Sequence, residues 1–411
     1  MRHPRPAGRL PGLFLYIGAI ALLAATGKLA AVSEEQMNEI TRLPILSDDN
    51  LVTVDTYVSE KLTQMTLSPS SEQIDRQRDL LLSRRLSAAT AASTWRLYRD
   101  RFAAAVQSNF LPTLDSAEKL EDEPLRNHAR LSVIIVAASV ESPALVPQMI
   151  TLLNDESLLV RYWAAKALSA DPVRQHFVAM GSEQAEIQSL IAGIKACLEK
   201  ETSGPVIAQI AQCAALSNHP ELLKLTETCL ANRTADYVDW SVQQERYDVG
   251  LLETVLSVIG SQDLNDHLDM QRDLIYECGK LYTAAYERFS TSILNKDQDE
   301  VDLALRSDDT HSALQAVLIE GEQSFRKACS RVQSSPTNRA RMFGVIEHRR
   351  WNGLQNAYEL LLAENGTVNQ VFVLYTEQRP YPYPALGDIP KTIVDRAINR
   401  RKVKNNLLTV N

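Results

Sequence analysis

The side chains with which this chain could do covalent or metal chemistry are its seven histidines, five cysteines and scattered carboxylates. Zinc hydrolysis calls for two histidines on one helix face with a glutamate between them. Acyl transfer calls for a serine on a glycine-flanked turn, and phosphate transfer for a glycine-rich loop ending in lysine. The chain contains no His-Glu-x-x-His, no Gly-x-Ser-x-Gly, no Gly-x-x-x-x-Gly-Lys and no glycine-rich dinucleotide turn. The histidines at 128, 176, 219, 267, 311 and 348 lie far apart, and the one His-Glu neighbour is Glu347-His348, followed by Arg349-Arg350-Trp351. Asp308-Asp309-Thr310-His311 is the other local polar cluster. Asp and Thr satisfy the free amides at a helix start, so an N-cap is expected there rather than a metal site. The sequence therefore assigns no catalytic, cofactor-binding or metal-ligating residue, and calls for no cofactor.

Cys197, Cys213 and Cys229 are spaced by sixteen residues, which sets them on successive helices rather than in a Cys-x-x-Cys metal arrangement. Cysteine packs as a small apolar residue between helices, so buried thiols are expected, with one disulfide among the five as the alternative. The odd count leaves at least one thiol unpaired unless two chains are bridged.

The elements that would position any site are most legible over residues 151–172. Asn154 and Asp155 break an apolar run and are expected to cap the helix that follows. Leu159, Trp163, Ala164, Ala167 and Leu168 then recur at three- and four-residue spacing, the alanines leaving room for a close neighbour, while Arg161 and Lys166 mark the other face. Asp171-Pro172 is expected to stop this helix, because the residue before proline is pushed out of the α region. The ending Ala167-Leu168-Ser169-Ala170-Asp171-Pro172 is echoed by Ala215-Leu216-Ser217-Asn218-His219-Pro220 and more weakly by Ala138-Ser139-Val140-Glu141-Ser142-Pro143, at offsets of 48 and 29 residues. The shorter offset suits a two-helix unit. The longer one suits such a unit with an insertion between Val173 and Glu186. Helix pairs are expected at 143–153 with 158–170, 187–201 with 205–217, and 220–231 with 237–259, where Val255-Leu256-Ser257 repeats the ending once more.

This stretch resembles HEAT-like repeats, particularly the short bacterial kind, most specifically over residues 143–172 and diffusely over 125–260. The resemblance implies an α-α solenoid, with Asp155 and Arg161 in the acidic turn position and basic helix position that stack between units. Ala164, Ala167, Leu168, Pro172 and Pro220 fill its structural positions. HEAT-like metal hydroxylases carry repeated His-Glu pairs as iron ligands, and this chain lacks them. Other HEAT-like proteins assist cofactor attachment as lyases, so an enzyme or lyase subunit is one alternative that the resemblance leaves open.

Composition agrees with an all-α chain. Glycine is scarce at 15 of 411 residues, alternating Val/Ile/Tyr runs are few, and a 45% apolar content can build a sizeable core. Residues 1–31 are set apart. Arg2, Arg5 and Arg9 precede an apolar run from Leu13 to Ala25, followed by small residues, which is signal-peptide anatomy. The run is short for the roughly 20 residues that span a bilayer, so cleavage near Gly27 or Ala31 is expected, with an uncleaved N-terminal anchor as the alternative. Removing these residues takes away four basic groups and no acidic one, which moves the formal charge from -8 to -12. So acidic a body argues against nucleic acid as a ligand, because phosphate binding is driven by clustered Lys and Arg.

Residues 32–123 form an N-terminal helical region. Ser33-Glu34-Glu35-Gln36 has capping-box spacing, Asp48-Asp49-Asn50 and Ser68-Pro69-Ser70-Ser71 punctuate the region, and a long helix is expected from Glu72 towards Phe110, ended by Pro112. The repeat region spans 124–260. A C-terminal helical region over 261–366 is expected to hold long helices at 264–294, 310–332 and 337–364, as degenerate repeats that cap the array. In 367–411, Val371, Val373 and Tyr375 alternate as in a short strand. Arg379-Pro380-Tyr381-Pro382-Tyr383-Pro384 has alternate prolines that enforce an extended polyproline-like conformation, suited to docking on a partner or to lying across the chain's own helices. Lys391, Arg396, Arg400, Arg401, Lys402 and Lys404 then outnumber Asp395 in a basic tail, which either touches an anionic membrane or acidic partner, or pairs with the chain's own acidic body. Asn232-Arg233-Thr234 and Asn365-Gly366-Thr367 match the glycosylation acceptor pattern, which matters only in a eukaryotic secretory route.

Together these features describe an exported, periplasmic or extracellular, non-catalytic interaction scaffold whose partner is another exported or envelope protein. The expected partner surface includes Arg161, Lys166, Tyr381, Tyr383, Arg400 and Arg401. A membrane-surface component held by the N-terminal segment or the basic tail is the other alternative.

Overall fold

The computed structural model describes residues 31–85, 92–239, 241–261, 264, 267–294, 308–333, 341–363 and 365–372. Every regular element among them is helical, so the chain is all-α over its described part. No described helix is long and apolar enough to cross a membrane. The apolar run at 13–25, the Pro/Tyr strip and the basic tail lie outside the described residues. Contacts divide the chain into two units, Met1–Val136 and Ala137–Asn411.

The first unit holds α1 (Glu34–Ile40), α2 (Asp48–Leu67), α3 (Ser71–Arg85), α4 (Ala92–Glu118) and most of α5 (Glu123–Ser139). The expected capping box is present: Ser33 Oγ accepts from the Gln36 amide at 3.1 Å, and Gln36 Oε1 accepts from the Ser33 amide at 2.9 Å. Ser47 and Asn50 form a second one at the start of α2. Helix α2 packs on α1, α3 and α4. It buries Val54, Tyr57, Val58, Leu62 and Met65, while α4 buries Tyr98, Phe102, Val106 and Phe110 at four-residue spacing. Glu34 pins α1 to this core, accepting from the Tyr57 hydroxyl and from Arg84 Nη2, each at 2.8 Å. Burial pushes the Glu34 carboxyl up, but those hydrogen bonds and nearby Lys61 outweigh it and hold the group below its usual value.

The helix expected from Glu72 to Phe110 is corrected in two ways. Regular structure is described to Arg85 and resumes at Ala92, and α4 runs through Pro112 to Glu118. Proline supplies no N–H for the carbonyl four residues earlier. Here both Pro112 and Ser108 are exposed, so the missing bond falls on the solvent face of α4.

In the second unit, a 3₁₀ turn (Pro143–Leu145) leads into α6 (Val146–Leu152), α7 (Leu158–Leu168), α8 (Asp171–Val178), α9 (Ala185–Leu198), α10 (Gly204–Ala214), α11 (Pro220–Val238), α12 (Tyr247–Val258), α13 (Leu268–Leu294) and α14 (Asp308–Val332). Helix α6 packs on α9, α9 on α11 and α11 on α13; likewise α7 packs on α10, α10 on α12 and α12 on α14. Two rows of neighbours result, joined across by α6 with α7, α10 with α11, α12 with α13, and α13 with α14. Missing side chains permit the close approaches. A Cβ on Gly193 would lie 2.5 Å from Ile150 Cγ2, where α9 crosses α6, and one on Gly321 would lie 2.9 Å from Tyr282 Cδ2, where α14 meets α13. The alternation continues past residue 260, where the recurring ending is no longer visible in the sequence.

Several local expectations change. Asp171-Pro172 does not only follow α7; it opens α8 inside the expected insertion, because proline fits the first turn, where its missing N–H is not needed. Ser157 rather than 154 or 155 holds the N-cap position of α7, without a side-chain capping bond, and Asp155 Oδ1 instead accepts from the Ser157 amide at 2.8 Å, shaping the turn. Tyr237 ends α11 rather than beginning α12. The expected helix at 337–364 is broken into α15 (Met342–Glu347), a 3₁₀ turn (Trp351–Gly353) and α16 (Leu354–Leu362), with Arg349 at a left-handed φ of 51° between them. Val371 lies in α17 (Thr367–Phe372), not in a strand, and Val373 and Tyr375 fall outside the described residues.

Replacing Pro112 by alanine restores an N–H in mid-helix, so Pro112→Ala is expected to raise unfolding stability by about 1–3 kcal/mol. A denaturant midpoint that stays put or falls would show that α4 is shaped to suit the proline.

Candidate functional site

The second row of helices carries a groove. It has a volume of ≈ 440 Å³, within the range of about 300–1,000 Å³ typical of ligand clefts. Helix α10 supplies Gln209 and Gln212, α12 supplies Tyr247 and Gly250, α14 supplies Glu320, and Arg246 stands just before α12. The three-residue step from 209 to 212 keeps both carboxamides on one side of α10. Gly250 is exposed, and a Cβ there would meet nothing within 4 Å, so the groove is open above it. Ser169, at the end of α7, donates to Gln209 Oε1 at 2.8 Å and fixes the carboxamide with its N–H₂ end still free to bond. None of the described side-chain bonds uses Gln212, Arg246 or Glu320.

An aromatic patch on α7 flanks the groove. The Tyr162 and Trp163 rings meet edge to face at 5.8 Å, and Lys166 Nζ lies 4.4 Å from the Trp163 ring centroid. Burial, with the Tyr247 phenol nearby, pushes the Tyr162 hydroxyl above its usual value. Lys166 is exposed, as expected. Arg161 is not a free surface cation: its Nε donates to Glu201 Oε2 at 2.5 Å and its Nη1 to the carbonyls of Asp155 and Glu156 at 3.0 and 2.9 Å. The hydrogen bond from Arg161 to Glu201 outweighs burial and raises its pKa further. Arg161 thus ties the α6–α7 turn to the α9–α10 turn, where Glu201 Oε1 also accepts from the Thr202 and Ser203 amides. Ala164, Ala167 and Leu168 are buried, and Pro172 and Pro220 sit in the first turns of α8 and α11. Tyr381, Tyr383, Arg400 and Arg401 fall outside the described residues.

Beneath the groove lies a buried ionic cluster that sequence reading missed. Arg233 of α11 is fully buried; its Nε and Nη2 bond the two oxygens of Asp248 at 2.7 and 2.9 Å, and Nη2 also donates to the Gln243 carbonyl at 3.1 Å. The Tyr237 hydroxyl donates to Asp248 Oδ2 at 2.8 Å, and Asp236 lies 3.2 Å from Arg233 Nη1. Burial pushes the Tyr237 phenol well up, and the adjacent Asp248 charge adds to it. A Cβ on Gly204 would come within 3.2 Å of the Arg233 Cζ, so glycine lets the start of α10 lie on the guanidinium without displacing it. A second buried pair, Glu245 with Arg288 at 3.2 Å, anchors the segment before α12 to α13. On α14, Glu322 accepts from the Arg341 and Met342 amides and so caps α15. The one available signal was Arg233 itself, which the sequence presents inside a glycosylation triplet. Asn232 Nδ2 instead donates to the Leu198 carbonyl, and Thr234 is buried. Thr367 of the second triplet is buried too.

The remaining titratable groups are distributed as structural parts. All five cysteines are free and buried, and burial pushes Cys197 up to about 11 and Cys213 and Cys329 to about 12. His128 lies 2.8 Å from Asp75, His176 lies 3.3 Å from Glu186, and His219 bridges the Ser182 hydroxyl at 3.1 Å and the Phe177 carbonyl at 2.8 Å. Among the described residues no group of three His, Cys, Asp or Glu is placed to hold a metal ion. Glu287 of α13 is the anomaly: both carboxyl oxygens are buried without a hydrogen-bond partner, and burial pushes the group up to about 8.

No known family model matches this chain, and no curated protein matches it either. The groove and the cluster beneath it therefore stand on their own geometry.

Removing one partner of a buried ion pair strands the other, so Asp248→Asn is expected to destabilise the second unit by about 3–5 kcal/mol in thermal or denaturant unfolding. Loss of less than about 1 kcal/mol would mean that the pair is dispensable. Glu287 behaves in the opposite sense. Its folded pKa of about 8 stands above the usual 4.5, so its contribution to stability is intact below about pH 4.5 and is lost as the pH rises through 8. Glu287→Gln is expected to raise the unfolding free energy at about pH 9 by on the order of 1–3 kcal/mol and to do much less at about pH 5. Equal shifts at both pH values would show that the carboxyl is not the cause.

Proposed function

We propose that this chain is an exported HEAT-like helical-repeat protein, a solenoid of α-α hairpins that works without catalysis of its own by holding another exported or envelope protein across the α10, α12 and α14 face. The observation that carries the reading is the open groove on those three helices, whose Gln212, Arg246 and Glu320 side chains are left uncommitted by the fold. Carboxamides donate and accept at once, and so pair with the main chain of an extended segment. Arg246 and Glu320 add one charge of each sign, and Tyr247 and the Trp163 patch supply rigid aromatic area with little rotamer entropy to lose. The neighbour pattern of α6, α9, α11 and α13 beside α7, α10, α12 and α14 supports the repeat reading, since each hairpin buries a face that the next one covers. Export rests on the charged and apolar pattern of residues 1–31.

The test is affinity isolation from envelope extract with the mature chain, followed by titration of the recovered partner against variants. Tyr247→Ala combined with Gln212→Ala is expected to weaken binding at least tenfold, about 1.4 kcal/mol, with an unchanged melting temperature. Glu221→Ala, at an exposed site on the other row, is expected to leave it unaltered. Equal affinities for all three proteins would remove the groove from the binding site.

A further inference from the structure

We propose that Ser182 is an acyl-acceptor site, a serine whose hydroxyl is activated by His219 and takes an acyl group from a thioester or an activated ester. The proposal asks for a single transfer rather than turnover, and it stands apart from the groove. It begins with two departures from the repeating pattern that meet in space. Ser182 and Phe177 belong to the stretch between Val173 and Glu186 that lengthens one unit, and His219 stands where Asp171 stands in the preceding copy of the ending. Asp171 is exposed, whereas His219 is only 1% exposed.

Hydrogen bonding fixes which way the dyad works. His219 Nε2 lies 2.8 Å from the Phe177 carbonyl, which can only accept, so in the neutral ring the N–H is at Nε2 and Nδ1 carries the lone pair. Ser182 Oγ lies 3.1 Å from Nδ1 and must therefore be the donor. That is the arrangement of a nucleophile and its base, with a third group orienting the base. Other serines of the chain differ: the hydroxyls of Ser108 and Ser257 donate to backbone carbonyls at 2.9 and 2.7 Å, which are too weakly basic to take a proton. The loop around Ser182 is held in place. Gln188 Nε2 donates to the Ser182 carbonyl at 3.0 Å, the Gln184 amide to the Gly181 carbonyl at 3.1 Å, and Asn218 Nδ2 to the Val178 carbonyl at 3.0 Å. Ser182 is exposed, so an acyl donor can reach Oγ although the imidazole behind it is buried.

Ser182 also stands two residues before Gln184, the N-cap of α9, and no described hydrogen bond uses the amides of Ala185, Glu186 and Ile187. Negative charge that develops on the attacked carbonyl oxygen therefore arises at the positive end of a helix of 14 residues. In the transfer, Ser182 Oγ bonds to the acyl carbon while its proton passes to His219 Nδ1. The bond from that carbon to sulfur, or to the ester oxygen, then breaks, and the leaving thiolate or phenolate takes the proton from Nδ1. The base is oriented by a neutral carbonyl instead of a carboxylate, so its cation gains less stabilisation than in a Ser-His-Asp triad. The site therefore suits leaving groups that depart readily as anions, and not the amine of a peptide bond.

The test treats the full chain with p-nitrophenyl acetate and follows acetylation of individual serines by peptide mass spectrometry. Ser182 is expected to be acetylated about a hundredfold faster than exposed Ser257, the size of a general-base contribution. His219→Gln keeps an N–H for the Phe177 carbonyl but removes the base, and should lower the Ser182 rate to that of Ser257 with the melting temperature unchanged. Should that variant fail to fold, Ser182→Cys leaves His219 in place and alters an exposed position. Its thiol is expected to react with iodoacetamide at least about tenfold faster than that of Ser257→Cys, because the imidazole favours the thiolate, while the five native thiols are buried. Acetylation of Ser182 no faster than of Ser257 overturns the proposal, as does an unchanged rate in folded His219→Gln or equal alkylation of the two introduced thiols.

Discussion

One guanidinium sets the geometry on which the groove depends. Arg233 reaches out of α11 and is met by the first residue of α10, the carbonyl of Gln243 in the loop, and the carboxylate of Asp248 in the first turn of α12. Two of the three groove helices therefore begin against the same planar group. An arginine suits this place better than a lysine, because five donors in a fixed fork address a carboxylate and a carbonyl together. Burying the charge is unfavourable on its own, and the position is tenable only because Asp248, Asp236 and the loop carbonyl take up the donors around it. Such a centre favours a single arrangement of α10 and α12 over near alternatives, since any slip of either helix leaves a charge unpaired in the interior.

The same logic recurs at the turns. Arg161 with Glu201, and Arg288 with Glu245, each join a turn to an element of the next hairpin, while the helix faces between them are apolar and small. Apolar packing is non-directional and supplies most of the favourable free energy of burial, whereas the pairs at the turns set the register of one hairpin on the next. This division leaves the outward face of the second row free of structural duties, which is why Gln212, Arg246 and Glu320 have nothing to do in the fold.

How much of this could be read from residues alone varies with the range of the interaction. The capping box at Ser33 and Gln36, the hairpin at 143–170, the separate helices within 187–217 and the burial of the cysteines follow from local spacing and composition, and all are present; the expected pairing of 187–201 with 205–217 is not, because α10 packs on α7, α11 and α12 instead. The polar centre does not follow, because Arg233 and Asp248 are fifteen residues apart and meet only after α11 has turned back into α12. Arg161 was read as a surface cation because helical periodicity gives its face but not the carboxylate that arrives from Glu201, forty residues on. Pro112 and Asp171-Pro172 show the limit of punctuation rules: a proline tells where a backbone donor is missing, and that loss is costless in a first turn and tolerated, at some cost in stability, on an exposed face of a long helix. The groove was invisible because it is built from spaces, at Gly250 and Ala208, as much as from groups.

The burial of the five thiols would have a kinetic consequence if the chain folds after export, as proposed. Cys197, Cys213 and Cys229 stand one each on α9, α10 and α11, which assemble as neighbours. In an oxidising compartment, every moment before those helices close is a moment in which any two sulfurs can be crosslinked wrongly. Consolidation of the three helices must therefore outrun the local oxidant, and the native state, once reached, shelters its sulfur by exclusion rather than by bonding it.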